Sequence, residues 1–230
     1  MKEIKNETAK TGFTLAEVLI TLVIIGVIAA LTVPTLIQNT QKQEYVSALK
    51  KAYSTLSQAA QMIIAEEGSP KCDEGGWACS LASVRDLFRS RMNTLKICET
   101  TSQCVDFNSY KGLRGDHQSV LRHIGGSFGN YGFVTADGAA IFPISVVNQC
   151  NASDYAGYWT GAKNWCALFI VDTNGAKAPN TYGRDVHQFI LKENGIYPAG
   201  CEANFCNGYG DASNGAACAC KVLREGAMNY

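Results

Sequence analysis

Histidine is scarce in this 230-residue chain, with three copies, and no run of lysine or arginine occurs, since twenty basic side chains balance twenty acidic ones. That balance lacks the electrostatic footprint of a phosphate-binding surface, so nucleic acid is not an indicated partner. His117, His123 and His187 stand far apart in sequence, which leaves no metal-spaced or base-like histidine pair. Cysteine is missing from the first 71 residues, although ten follow. Charge is missing from Phe13 to Ile37 except at one position, Glu17.

That uncharged stretch is long enough to matter. A helix of about 20 apolar residues crosses a bilayer, and residues 13–37 exceed that length. A secretory signal has a shorter apolar core of about 7–15 residues and an Ala-x-Ala-like cut site, and this run is followed by more helical pattern. The approach, Met1 to Gly12, carries Lys2, Lys5 and Lys10, which by the positive-inside rule keeps this end cytoplasmic and places the rest outside. Glu17 is then anomalous: a carboxylate near hydrocarbon costs roughly 2.5–3.5 kcal/mol even on the lenient insertion scale. A plain single-pass anchor leaves that cost unexplained, so Glu17 should have a partner.

Lys10-Thr11-Gly12, Phe13, Glu17 four positions on, and then Gly26 and Pro34 together resemble the class III signal of type IV pilins and type II secretion pseudopilins. The resemblance implies that a prepilin peptidase cuts between Gly12 and Phe13 and methylates the new amine of Phe13. It also implies that Glu17 meets the N-terminal amine of a neighbouring subunit in a filament. The implied partners are other pilin or pseudopilin subunits, the peptidase, the membrane and an inner-membrane assembly platform. Gly26 and Pro34, which cost about 1 and 3 kcal/mol in a helix, mark positions between which related pilins unwind in the filament.

Beyond the span, Tyr45, Leu49, Ala52, Tyr53, Leu56, Ala59, Ala60 and Ile63 recur at spacings of three and four, and Lys50, Lys51, Ser54, Ser57, Gln58 and Gln61 fill the opposite face. This is an amphipathic helix meant to lie on a sheet, ended by Gly68-Ser69-Pro70. An unbroken helix from Phe13 to Glu67 is about 80 Å long, more than a globular head needs, so half should project. Leu81 to Met92 reads as a second helix covering a sheet edge. Strands are expected at Tyr131 to Thr135, Ala140 to Val146, Cys166 to Val171 and Val186 to Leu191, with an Asp137-Gly138 turn, in an antiparallel meander. Residues 200–215 read as a loop, followed by a short helix or turn near Ala219 to Glu225.

The cysteines, Cys72, Cys79, Cys98, Cys104, Cys150, Cys166, Cys201, Cys206, Cys218 and Cys220, all follow the anchor, as disulfides of an exported head would. Short loops suggest Cys72 with Cys79, Cys98 with Cys104 and Cys150 with Cys166. The last four suggest a nest of Cys201 with Cys220 and Cys206 with Cys218. Zinc held by those last four is the rival reading, against which stand the oxidising compartment and a spacing that matches no common zinc module.

The stretch from Asp172 to Asp185 lies between two expected strands and resembles a loop of pilin-like heads, some of which depend on calcium. Asp172, Asn174, Asn180 and Asp185 bear the hard oxygen ligands that calcium prefers, and Gly175 and Gly183 let the backbone curl. The alternative is a purely structural loop, with Asn174-Gly175 as a tight turn, Pro179 as a stiffener and Asp185 as a local cap; the spacing is not that of the standard calcium loop.

Gly125-Gly-Ser127-Phe-Gly129 matches Gly-x-Ser-x-Gly only literally, because a strand rather than a helix is expected after it. Asn151-Ala-Ser153 fits a short glycosylation sequon. Trp77, Trp159 and Trp165 read as buried aromatics before they read as an adhesive surface.

The sequence thus describes an α+β, pilin-like filament subunit and no enzyme: a leader at 1–12, a transmembrane or filament-core helix at 13–37, its amphipathic continuation at 38–67 and a disulfide-stapled extracytoplasmic head at 68–230. A pseudopilus and a surface pilus fit equally, and a membrane-anchored binding domain that never polymerises is the rival class.

Overall fold

A computed structural model describes residues 12–71, 80–100, 103–115, 131–151, 163–201, 206 and 215–230. The chain divides into two units, Met1–Gln41 and Lys42–Tyr230. Helix α1, Leu15–Glu67, contributes to both. It starts where Thr14 caps it and stops at Gly68, whose φ of 84° a side chain would resist. Gly26 and Pro34 both lie inside the helix. Proline brings no N–H, so the Ala30 carbonyl loses its usual donor. Nearby threonines bond backward, Thr32 Oγ1 to Ile28 O at 2.9 Å and Thr35 Oγ1 to Thr32 O at 2.8 Å.

The second unit is built on a six-stranded sheet in the order β1 (Thr94–Cys98), β2 (Gly132–Thr135), β3 (Ala140–Val146), β4 (Ala167–Asp172), β5 (Val186–Lys192) and β6 (Gly195–Pro198). Every neighbouring pair is antiparallel, giving the expected meander with one more strand at each edge. Helix α2, Leu81–Ser90, begins at Ser80, whose side chain accepts from the Ser83 N–H at 3.0 Å. Helix α3, Ala219–Glu225, ends at left-handed Gly226.

The sheet is covered on both faces, which is why β4 and most of β5 are buried without alternation. On one face Phe133, Phe169, Phe189 and Leu191 pack against Leu49, Leu56 and Ile63 of α1 and against Val84 and Phe88 of α2. Tyr53 stacks on Phe189 with centroids 5.8 Å apart, and Phe88 meets Phe169 at 4.8 Å. Helix α2 therefore covers part of a face rather than an edge. The buried stripe of α1 includes Val46, whereas Tyr45 is only half-buried. The other face carries Phe142, Ile170 and Val186, closed over by Tyr110, Tyr182 and Ala216, with Leu168 and Ile190 under Trp165. A long N-terminal apolar helix, an antiparallel sheet and disulfides make this a pilin-like α+β fold.

Disulfides join Cys98 to Cys104, Cys150 to Cys166, Cys201 to Cys220 and Cys206 to Cys218. The four C-terminal cysteines are thus spent on bridges, which removes the zinc reading. Cys72 and Cys79 lie outside the described residues, as do the leader before Gly12, the Gly125 to Gly129 motif, His117, His123, Trp77, Trp159 and Ser153.

Candidate functional site

Two places carry polar groups where apolar ones would be expected: the start of α1 and the loop after β4. At the first, Thr14 precedes the first helical residue and Glu17 stands three positions on, the spacing of a capping box. The Thr14 N–H and hydroxyl both donate to Glu17 Oε2 at 2.8 Å, and the Glu17 N–H returns a 3.3 Å bond to Thr14 Oγ1. One carboxylate oxygen is thereby held by the chain's own helix start. Oε1 has no partner among the described residues. Gly12 is exposed and Phe13 is 88 % exposed, so both sides of the junction are accessible among the described residues. Among the described residues one helix, α1, contains a segment long and apolar enough to cross a membrane by length and composition, and none of that segment is buried.

The second place is the loop from Asp172 to Asp185. It brings together all four oxygen-bearing residues named from the sequence. Asn174 joins the two carboxylates, its N–H to Asp172 Oδ1 at 3.2 Å and its Nδ2 to Asp185 Oδ2 at 3.2 Å. Asp185 also accepts from the Asn180 N–H at 2.9 Å and the Thr181 N–H at 2.7 Å. Asp172 Oδ2 accepts from the Tyr110 hydroxyl at 2.7 Å. Asn180 takes the left-handed conformation at φ 49°, and the Ala178–Pro179 peptide is cis. Gly175 is required by its setting, because a Cβ there would stand 2.6 Å from the Gly138 carbonyl oxygen.

Both carboxylates are fully buried. Burial is the largest cause that lifts the Asp172 carboxyl to about 8; the Tyr110 hydrogen bond opposes it and the Asp185 charge adds to it. Burial likewise raises Asp185, against the pull of the Thr181 and Asn180 amides. No group of three or more His, Cys, Asp or Glu side chains converges among the described residues. The loop is nonetheless short of donors, since the buried oxygens Asn174 Oδ1 and Asn180 Oδ1 have no partner among them.

His187 is fully buried on β5, with Nε2 2.9 Å from the Arg184 carbonyl and no partner for Nδ1 among the described residues. It is a core residue that ties to the loop only through the Arg184 carbonyl and not through the four oxygen-bearing side chains. Trp165 is fully buried as well. Sequence reading missed two partners. Thr14 was legible as the first member of a Thr-x-x-Glu box; Tyr110, 62 residues from Asp172, had no local signal.

Residues 8–33 match the family model described as the prokaryotic N-terminal methylation motif, so the chain carries a type IV pilin-like prepilin motif. No curated protein and no solved structure matches the chain.

Proposed function

We propose that this chain, which carries a prepilin methylation motif, is a subunit of a type IV pilus-like or type II secretion pseudopilus filament, cut after Gly12 and N-methylated at Phe13. What carries the reading is one coincidence: the matched motif lies over the apolar first half of α1, which is not buried among the described residues and holds a single carboxylate at Glu17. Before assembly the helix lies in the inner membrane, with the head outside. Afterwards its apolar surface packs against neighbouring subunits, brought there by the peptidase and an inner-membrane platform. Its role is structural rather than enzymatic.

Intact mass and N-terminal sequencing of the membrane-derived protein test this. The expected chain begins at N-methylated Phe13; one still beginning at Met1, or cut near Ala30, overturns it. Against a non-polymerising anchor, Glu17→Ala should remove the protein from sheared filaments while leaving it in the membrane.

A second proposal concerns the head. Two buried carboxylates, and two amide oxygens without a partner among the described residues, are all hard oxygen ligands of the kind calcium prefers. Asp172, Asn174, Asn180 and Asp185 would hold the ion, and its charge would offset that of the two buried carboxylates once both are ionised. Protons compete for Asp172 below about 8, so calcium should raise the melting midpoint more at alkaline than at mildly acidic pH. Identical midpoints with calcium and with chelator at both would leave the loop purely structural.

A further inference from the structure

The apolar run of α1 ends at Ile37, and the helix continues without a break to Glu67. At about 1.5 Å per residue, Lys42 and Tyr45 follow Ile37 by about 7 and 12 Å along the axis. The headgroup layer is about 5–8 Å deep on each side of the hydrocarbon, and charges act over about 8 Å at physiological ionic strength. Cations held around Tyr45 are therefore within electrostatic reach of a lipid surface.

The head gathers cations and tyrosines there. Tyr45 is half-buried; burial raises its phenol, the Asp185 charge adds to the rise and the Arg184 charge opposes it. Burial also raises Tyr230, again against the Arg184 charge, and the Tyr230 hydroxyl donates to the Gly183 carbonyl oxygen. Lys221 Nζ stands 5.6 Å from the centroid of the Tyr230 ring. Lys50 Nζ is 3.7 Å from the place where a side chain at Gly226 would begin. Three stretches far apart in sequence, α1, the loop before β5 and the residues in and after α3, thus converge on Lys50, Arg184 and Lys221, with Lys42 earlier on α1. Lys50 and Arg184 are exposed and Lys221 is half-buried. The exposed carboxylates beside them are Glu44 and Glu225, while Asp185 is fully buried beneath. Among the described residues no carboxylate stands within ion-pair distance of Lys50, Arg184 or Lys221.

We infer that the surface of Lys50, Arg184 and Lys221, with Tyr45 and Tyr230 between them, docks the head on anionic lipid headgroups while the subunit is held in the membrane. Position and chemistry name the same partner. The cations stand just past the end of an apolar span, they carry charge that the head itself does not neutralise, and tyrosine, with an apolar ring and a polar tip, is the residue type that settles at a membrane surface. Each Lys or Arg beside an anionic surface raises its occupancy about fivefold. Withdrawing a subunit from the membrane then means breaking this contact as well as removing the span from lipid, so the lipid composition sets how readily the subunit leaves.

The inference rests on the proposed function in one respect, that the span lies in a membrane, and one experiment separates the two. Full-length protein is reconstituted into vesicles of phosphatidylcholine alone and into vesicles rich in phosphatidylglycerol. Acylation of its lysines by a membrane-impermeant reagent is followed by mass spectrometry, with Lys71 and Lys96 as references within the same head. Relative to these, Lys50 and Lys221 should react about fivefold more slowly on the anionic vesicles, and salt at about 1 M, which shortens the screening length to about 3 Å, should restore their rates. Arg184→Gln should lose most of the protection and Arg184→Lys should keep it. Equal relative rates on both vesicles overturn the inference and leave the function standing. Protection by inorganic phosphate on phosphatidylcholine vesicles also overturns it, since that marks a site for a small anion rather than a lipid surface. A protein that floats with neither vesicle overturns the membrane reading itself.

Discussion

The two halves of α1 share one helical backbone and solve opposite problems. From Phe13 to Ile37 the helix is apolar in nearly every direction and none of it is buried; from Val46 to Ile63 one stripe is apolar and that stripe is buried in the head core. The second half follows the rule for a helix in water, where an amphipathic face pays for ordering by packing on a sheet. Among the described residues the first half has no buried surface of that kind. Each large apolar side chain left in water forgoes about 1.5–3 kcal/mol, so its surroundings must come from lipid or from neighbours. A helix is the one open-ended structure suited to both, because its backbone bonds are satisfied internally.

The sharpest way to break the comparison is to exchange the chemistry of the halves. Ile24→Lys puts a charge at mid-span, which costs about 2.5–3.5 kcal/mol on the insertion scale; fractionation should show membrane retention and polymer lost, with the melting midpoint of the head unchanged. The reverse should hold for Leu56→Ala. Leu56 is fully buried, and its truncation costs about 2–5 kcal/mol, so chemical denaturation of the detergent-solubilised protein should report a weaker head while membrane retention persists.

Next in size come effects of pH, which belong to the head alone. Burial depresses His187 from an ordinary 6.5 to about 4. The stability that depends on its neutral form is complete above about 6.5 and is lost as pH falls toward 4. Asp172 works the other way, raised from 3.8 to about 8. Its favourable contribution is complete below about 4 and is lost as pH rises through about 8. Between about 4 and 6.5 the two trends oppose each other, so denaturation midpoints should stay nearly level there and fall from about 6.5 to 8, and His187→Gln should leave the Asp172 loss unopposed so that the fall begins near 4. The smallest effect is expected at a solvent-exposed ion pair between α1 and the turn after β2: Lys51 and Asp137 pair at 2.9 Å but are 63 % and 35 % exposed, so Lys51→Ala should change stability by less than about 1 kcal/mol.

Legibility followed the same division. The apolar segment and the prepilin motif that includes Gly12, Phe13 and Glu17 were readable because each depends on near neighbours in sequence. The amphipathic stripe was readable for the same reason, except that Val46 takes the buried place beside half-buried Tyr45. Strands β3, β4 and β5 stood out as apolar runs. Strands β1 and β6 did not, because an edge strand is half solvated: β1 leaves Leu95 72 % exposed, and β6 is four residues bounded by Gly195 and Pro198. In the loop, the four oxygen-bearing residues were visible but their enclosure was not. Tyr110 reaches Asp172 only after the chain has passed along β2, β3 and β4, and no local pattern encodes a contact of that span.

One feature of the sheet bears on how the head comes into being. Its spatial order, β1 to β6, is its order along the chain, and the helix that forms its opposite wall precedes every strand. A chain delivered from its N-terminus therefore presents the template first, and each arriving strand finds its predecessor already in place as a pairing edge. Such growth needs few long loop closures, which keeps the entropic barrier low. The cysteines of the last two bridges arrive after β6, so oxidation at Cys201–Cys220 and Cys206–Cys218 comes as a closing seal on a sheet already laid down rather than as a guide to it.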